Sequence, residues 1–220
     1  KEAADLTVST LKSSVVPSKR AREEEVKKAP STKAPGSNSA EEVPTSNKKS
    51  KPNPKNPKKG EEGLSEANEL FNQGNAYYDK GDYTHAEEFY LKVMKIRESV
   101  LDAQHPDLAT TYHKLGLLYF SKEKYKRAQS YLLKALRIQE RILGSKDPAL
   151  APGYHKLGLT FCHKKIYSQA ETFLLKALKI QEKALDAKHP DLATTYHDLG
   201  VLYSVIKEYY KVEQFLVKAC

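Results

Sequence analysis

The sequence predicts an all-α protein, an α-solenoid of antiparallel helix pairs preceded by a disordered basic tail. Three observations predict it. The stretch HPDLATTYH stands at 105–113 and recurs letter for letter at 189–197. Gly74, Gly116, Gly158 and Gly200 are spaced 42 residues apart, and self-similarity at a fixed period of this size is the mark of a repeat architecture. The first 60 residues also differ sharply in composition from the remainder.

The tail comes first. Residues 1–60 hold 14 of the 37 Lys and Arg, 7 of the 28 Asp and Glu and 7 of the 11 prolines, and no Phe, Tyr or Trp. Such a segment cannot bury enough apolar surface to offset the entropy lost on ordering. It is expected to be a disordered Lys/Pro-rich tail or linker over 1–60, with only EEEVKK at 23–28 able to form a helical turn. Lys48-Lys49-Ser50-Lys51 resembles a short nuclear localisation signal, and the Lys clusters within 18–28 and 47–59 attract polyanions. The competing view is a soluble linker kept extended by its prolines. No aromatic residue is interleaved for base stacking, so nucleic acid is expected to bind at most non-specifically, through the tail.

The solenoid is expected over 61–220, in blocks 63–104, 105–146, 147–188 and 189–220, the last incomplete. Tyr83, Tyr125, Tyr167 and Tyr209 share a column. So do Tyr77, Tyr119, Phe161 and Tyr203, and Ala86, Ala128 and Ala170 with Val212. Each block predicts two helices. The first opens at HPDLA, where Pro106, Pro148 and Pro190 suit the first helical position, whose N–H has no intrahelical partner. Asp107 and Asp191 suit the same positive helix end. Leu108, Tyr112, Leu115 and Tyr119 then form a helical stripe. After a polar turn such as SKEK at 121–124, the second helix starts near Tyr125 and carries Ala128, Leu132, Ala135, Leu136 and Ile138. The small residues at the Gly116 and Ala128 columns let the paired helices approach closely, which accounts for a helix-weakening glycine in all four blocks. Pro152 would lose a backbone bond in a helix running from Pro148, so the first helix of block three is expected to start late or kink, unless Pro152 itself opens it. The chain begins at Lys1 and stops at EQFLVKAC. It is therefore read as a piece of a longer protein, in which further repeats or a capping helix cover Leu216, Val217 and Cys220.

The helix–turn–helix units, with small residues at the Gly116 and Ala128 columns and aromatics at Tyr119 and Tyr125, resemble tetratricopeptide repeats. The 42-residue period, the HPD opening and the long second helix resemble the kinesin-light-chain subtype, over residues 63–220. No coiled-coil heptads precede the repeats.

That resemblance implies a non-enzymatic scaffold whose first helices line a concave groove for an extended peptide or a partner segment. The groove columns it implies are Asn68, Phe71, Asn72 and Asn75 in block one, and Thr110, His113, Lys114 and Leu117 in block two. Block three gives Pro152, His155, Lys156 and Leu159, and block four Thr194, His197, Asp198 and Val201. His113, His155 and His197 thus form a ladder. Metal ligation would need each ring nitrogen about 2 Å from one ion, whereas equivalent stacked helices lie about 8–10 Å apart. No Ser, Cys or acid accompanies each histidine in a repeating way, as a nucleophile–base pair would require. Two readings stay open: histidines that hydrogen-bond a neighbouring helix, and histidines that contact a peptide. Lys114 and Lys156, with His113 and His155, favour an acidic or carboxylate-bearing ligand. Phe71, Leu117, Leu159 and Val201 supply an apolar floor. A carboxylate clamp of the chaperone-binding kind would share Asn75, but Phe71, Lys114 and Pro152 depart from its pattern. The alternative function is a repeat module of a larger regulatory protein, with the tail serving nuclear import or polyanion attachment.

Other classes find no signal. There is no phosphate loop, metal cluster or catalytic triad, so no enzyme activity, cofactor, metal or small-molecule substrate is expected. The longest apolar runs, such as LGLLYF at 115–120, are too short to span a bilayer. Two cysteines without CxxC spacing favour a reducing compartment, hence a cytoplasmic location with a nuclear alternative. Cys162 is expected to pack as a small hydrophobe.

Overall fold

A computed structural model describes residues 57–219, with side chains from Gly60 onward. The expectations for residues 1–56, including the Lys48–Lys51 run, and for Cys220 lie outside the described residues. The array is helical throughout. Its elements are α1 (Pro57–Asp79), α2 (Tyr83–Val100), α3 (Pro106–Ser121), α4 (Tyr125–Leu143), a 3-10 turn (Pro148–Leu150), α5 (Ala151–His163), α6 (Tyr167–Ala184), α7 (Pro190–Val205) and α8 (Tyr209–Ala219). The first helix starts at Pro57, four residues ahead of the boundary expected at 61.

The helix starts follow the HPD signal. His105 and His189 are the N-caps of α3 and α7, and the Nδ1 of each accepts from the N–H of Asp107 or Asp191 at 3.2 Å. Proline follows at the first helical position. Block three departs as expected. Asp147 caps a 3-10 turn at Pro148–Leu150, and the α-helix begins only at Ala151. Pro152 therefore sits in the first turn of α5, where its missing N–H costs no helical bond.

Packing is set by the small columns. A Cβ on Gly74 would lie 2.8 Å from the Tyr90 ring, on Gly116 2.7 Å from Leu132, on Gly158 2.7 Å from Leu174 and on Gly200 2.6 Å from Leu216. Each repeat thus seats a large second-helix side chain directly on first-helix backbone. Ala86, Ala128 and Ala170 are fully buried beside this contact. A ring pair accompanies it: Tyr77 on Phe89, Tyr119 on Tyr131, Phe161 on Phe173 and Tyr203 on Phe215, with centroids 5.2–5.5 Å apart. The predicted stripe Leu108, Tyr112, Leu115, Tyr119 is buried throughout, as are Leu132, Leu136 and Ile138.

Successive repeats are joined by a second, polar device. The hydroxyl of a first-helix tyrosine donates to a glutamate on the preceding second helix: Tyr112 to Glu98 and Tyr196 to Glu182, both at 2.7 Å, and Tyr154 to Glu140. Burial and the neighbouring carboxylate push these phenols up, Tyr196 to about 12. Among the described residues, α8 contains no buried side chain, and no helix is long and apolar enough to cross a membrane.

Candidate functional site

The first helices of blocks two to four meet one another directly. α3 packs on α5 and α5 on α7, whereas the second helices have no comparable contact with one another among the described residues. The first-helix face is therefore the tighter, inner side of the stack. Side chains at i, i+3 and i+4 of a helix share one face, so the predicted groove columns of each block share one face of their own first helix.

Block one is largely satisfied from within. The Asn75 side-chain oxygen accepts from the Tyr90 hydroxyl at 2.7 Å. The Asn68 oxygen accepts from Arg97 Nη2 at 2.8 Å. Phe71 is half-buried, 5.7 Å from the Tyr90 ring and 4.9 Å beneath the Arg97 guanidinium. Asn72 is exposed. Arg97 itself is only 4% exposed and closes this part of the face.

Blocks two to four are more open. His113, Leu117, Pro152, His155, Lys156 and Thr194 line one recess of ≈ 270 Å³, together with Gln181, Asp191 and Thr195. Six groove positions inferred from the sequence are thus brought to one place by α3, α5 and α7. His113 lies deep, and its Nδ1 is buried without a protein partner. Burial, with Lys114 and Lys156 beside it, pushes its ring below the usual histidine range. It is therefore neutral at pH 7, and one of its nitrogens is a free acceptor or donor. Lys156 lays its ammonium 4.6 Å over the Phe120 ring, and burial lowers its pKa despite the opposing pull of Asp198.

Two rungs of the histidine ladder are tied to their neighbours. His155 Nε2 lies 2.7 Å from Asp198 Oδ2, bridging α5 to α7. His197 Nδ1 lies 3.4 Å from the other oxygen of Asp198. The ladder therefore divides: His155 and His197 share an acid, and His113 keeps an unpaired ring nitrogen. Leu159 and Val201 are half-buried on the same face, Thr110 is exposed and Lys114 half-buried. Thr110 and Thr194 each donate to a carbonyl of their own helix, at 3.2 and 2.9 Å.

Cys162 packs partly buried against the core, and burial pushes its thiol up to about 11, away from thiolate reactivity. No group of three His, Cys, Asp or Glu that could hold a metal ion occurs among the described residues. Periodicity alone did not single out the Tyr112/Tyr154/Tyr196 bonds or the Arg97/Gln139/Gln181 column. Their signal was present in the same 42-residue register, since Glu98, Glu140 and Glu182 also recur.

A family model for tetratricopeptide repeats matches residues 66–141, 117–183 and 149–220. Among solved structures, the nearly identical kinesin-light-chain TPR-like repeats of Podosopora anserina are 22% identical, with a TM-score of 0.64 over 71% of this chain and 74% of that one. BtubC (BKLC) from P. vanneervenii is 20% identical, with a TM-score of 0.60 over 74% of this chain and 70% of that one. The apo form of RapI is 20% identical, with a TM-score of 0.62 over 71% of this chain and 42% of its own. At these identities the likeness is one of fold. No curated protein sequence matches the chain.

Proposed function

Because the chain belongs to the tetratricopeptide repeat family, a fold that serves protein–protein interaction, we propose that it is a non-enzymatic scaffold whose first-helix groove binds an extended segment of a partner protein. The observation that carries the proposal is the recess shared by α3, α5 and α7, with the His113 ring nitrogen buried and unpaired beside it. An unsatisfied buried polar atom is uncommon and calls for an explanation such as a ligand.

The segment is acidic at the point where it meets blocks two and three. Lys114 and Lys156 occupy one column on adjacent first helices, and the positive field of both is felt at His113. A carboxylate there would gain charge-assisted hydrogen bonds and would meet Leu117 and Leu159 as an apolar floor. Peptide segments selected by display against the full chain test this. Lys114→Glu with Lys156→Glu is expected to weaken the selected segments by about tenfold or more, and added salt to weaken the native complex. Affinity that ignores both changes would reject the acidic-ligand proposal. Deleting residues 1–56 is expected to leave this binding intact.

A further inference from the structure

One column of the array changes identity between interfaces. Arg97, Gln139 and Gln181 occupy it. At the first interface the Arg97 guanidinium is held flat in a slot between repeats. Nη1 donates to the Asp107 carbonyl at 3.0 Å and to Thr111 Oγ1 at 2.9 Å, Nη2 donates to Asn68 at 2.8 Å, and the Phe71 ring lies beneath. At the third interface the equivalent positions are Gln181, Asp191, Thr195, Pro152 and His155. Thr195 keeps the arrangement of Thr111, donating to the Asp191 carbonyl at 3.0 Å as Thr111 donates to Asp107 at 2.7 Å.

The glutamine is too short to do what the arginine does. Gln181 Nε2 reaches the Asp191 carbonyl only at 3.4 Å. Its Oε1 is buried with no donor, and the residue is 6% exposed. Pro152 brings no amide where Asn68 had one. The ≈ 270 Å³ recess is lined by all five of these equivalent residues, together with His113, Leu117, Lys156 and Thr194.

We infer that this recess is a slot for the guanidinium of an arginine carried by the groove's partner segment. A guanidinium is planar and presents five N–H donors in a fixed fork. The slot offers acceptors at the Asp191 carbonyl, Thr195 Oγ1 and Gln181 Oε1, and the His155 ring stands in the column of Phe71. The Asp191 carboxylate at the rim supplies negative charge, and its side chain is 68% exposed. Lys156 also lines the recess, but its ammonium is laid over Phe120. The inference rests on the groove proposal and refines it: the partner's acid faces Lys114 and Lys156 on the α3 and α5 side of the recess, and its arginine enters the same recess on the α7 side, at Gln181, Asp191 and Thr195.

The test is a titration of the full chain with N-acetyl-arginine amide, followed by NMR of the Gln181 side-chain amide and the Thr195 methyl group. Saturable shifts at both are expected. N-acetyl-citrulline amide, which keeps the shape without the charge, should bind about tenfold more weakly or worse. Gln181→Arg, which restores the residue used at the first interface, should abolish the arginine response. Thr195→Val, which removes one acceptor, should weaken it. An absent response, an equal response to citrulline, or a response unchanged in both variants overturns the slot. Selected acidic segments that bind while the arginine probe is silent would sink the slot and leave the groove proposal standing. An arginine response with no segment bound at Lys114 and Lys156 would do the reverse.

Discussion

The first and third inter-repeat interfaces are built from the same columns and end in different states. At the first, Arg97 bonds to three neighbouring residues, Asn68, Thr111 and Asp107, covers Phe71, and leaves only its Nε buried without a partner. At the third, Gln181 makes one long bond, leaves its oxygen unpaired, and a recess stands open beside Pro152 and His155. The helices that frame both are held by the same Gly-on-large-side-chain contact and the same Tyr–Glu bond. The scaffold is thus indifferent to what this column carries. One residue column decides whether a stretch of groove is closed by the chain itself or left for something else, and this follows from solenoid construction, in which each repeat answers only to its neighbours.

The largest way to break the comparison is at Arg97. Arg97→Ala removes three hydrogen bonds, leaves the buried Thr111 hydroxyl without its donor and uncovers Phe71, and should cost about 2–3 kcal/mol. Gln181→Ala removes one long bond and should cost about 1 kcal/mol or less. Chemical denaturation of the two variants measures both, and equal losses would remove the distinction between the interfaces. The shared device should behave in the opposite way. Tyr112→Phe and Tyr196→Phe each lose one hydroxyl-to-carboxylate bond and should each cost about 1 kcal/mol, since Glu98 and Glu182 retain access to water. A large difference between the two would show that the scaffold is not uniform.

The smallest expected effect is in pH. The folded pKa of His113 is depressed below its unfolded value by burial and by Lys114 and Lys156. Below the unfolded histidine pKa of about 6.5 the unfolded chain binds the proton more readily, so stability falls as pH drops through that value and is fully present above it. Thermal melts between pH 7.5 and 5.5 should show a declining Tm, and His113→Leu should flatten part of that decline. A Tm slope identical in the variant would place the titration elsewhere.

Much of the fold was legible because a repeat writes its rules several times. The Gly column, the HPD caps and the late start of the helix at Ala151 all follow from backbone chemistry that one sequence displays: a Cβ that would collide with Leu132, a proline without an N–H, a histidine able to cap. The groove columns came from the family resemblance rather than from spacing, and four of the positions it implied, His113, Leu117, His155 and Lys156, line one recess. What the sequence did not display is which of those side chains are already engaged. His155 and His197 look alike on paper, but Asp198 sits between them, and that contact crosses from α5 to α7 over 43 residues. Asn68 and Asn75 look like free groove amides, but Arg97 and Tyr90 reach them from α2. Partners supplied by a different helix are invisible to a pattern read along one helix. The exchange of Arg97 for Gln181 was written in the register, yet its meaning depended on the slot around it.

The most direct test of the groove as the recognition surface is a methyl and side-chain NMR map of the full chain bound to a segment selected against it. The structure predicts perturbations at Leu117, Leu159, Thr195 and Val201, along the first helices, with Leu133 and Leu175 on the exposed side of the second helices unchanged. Perturbations confined to Leu133 and Leu175 would contradict it.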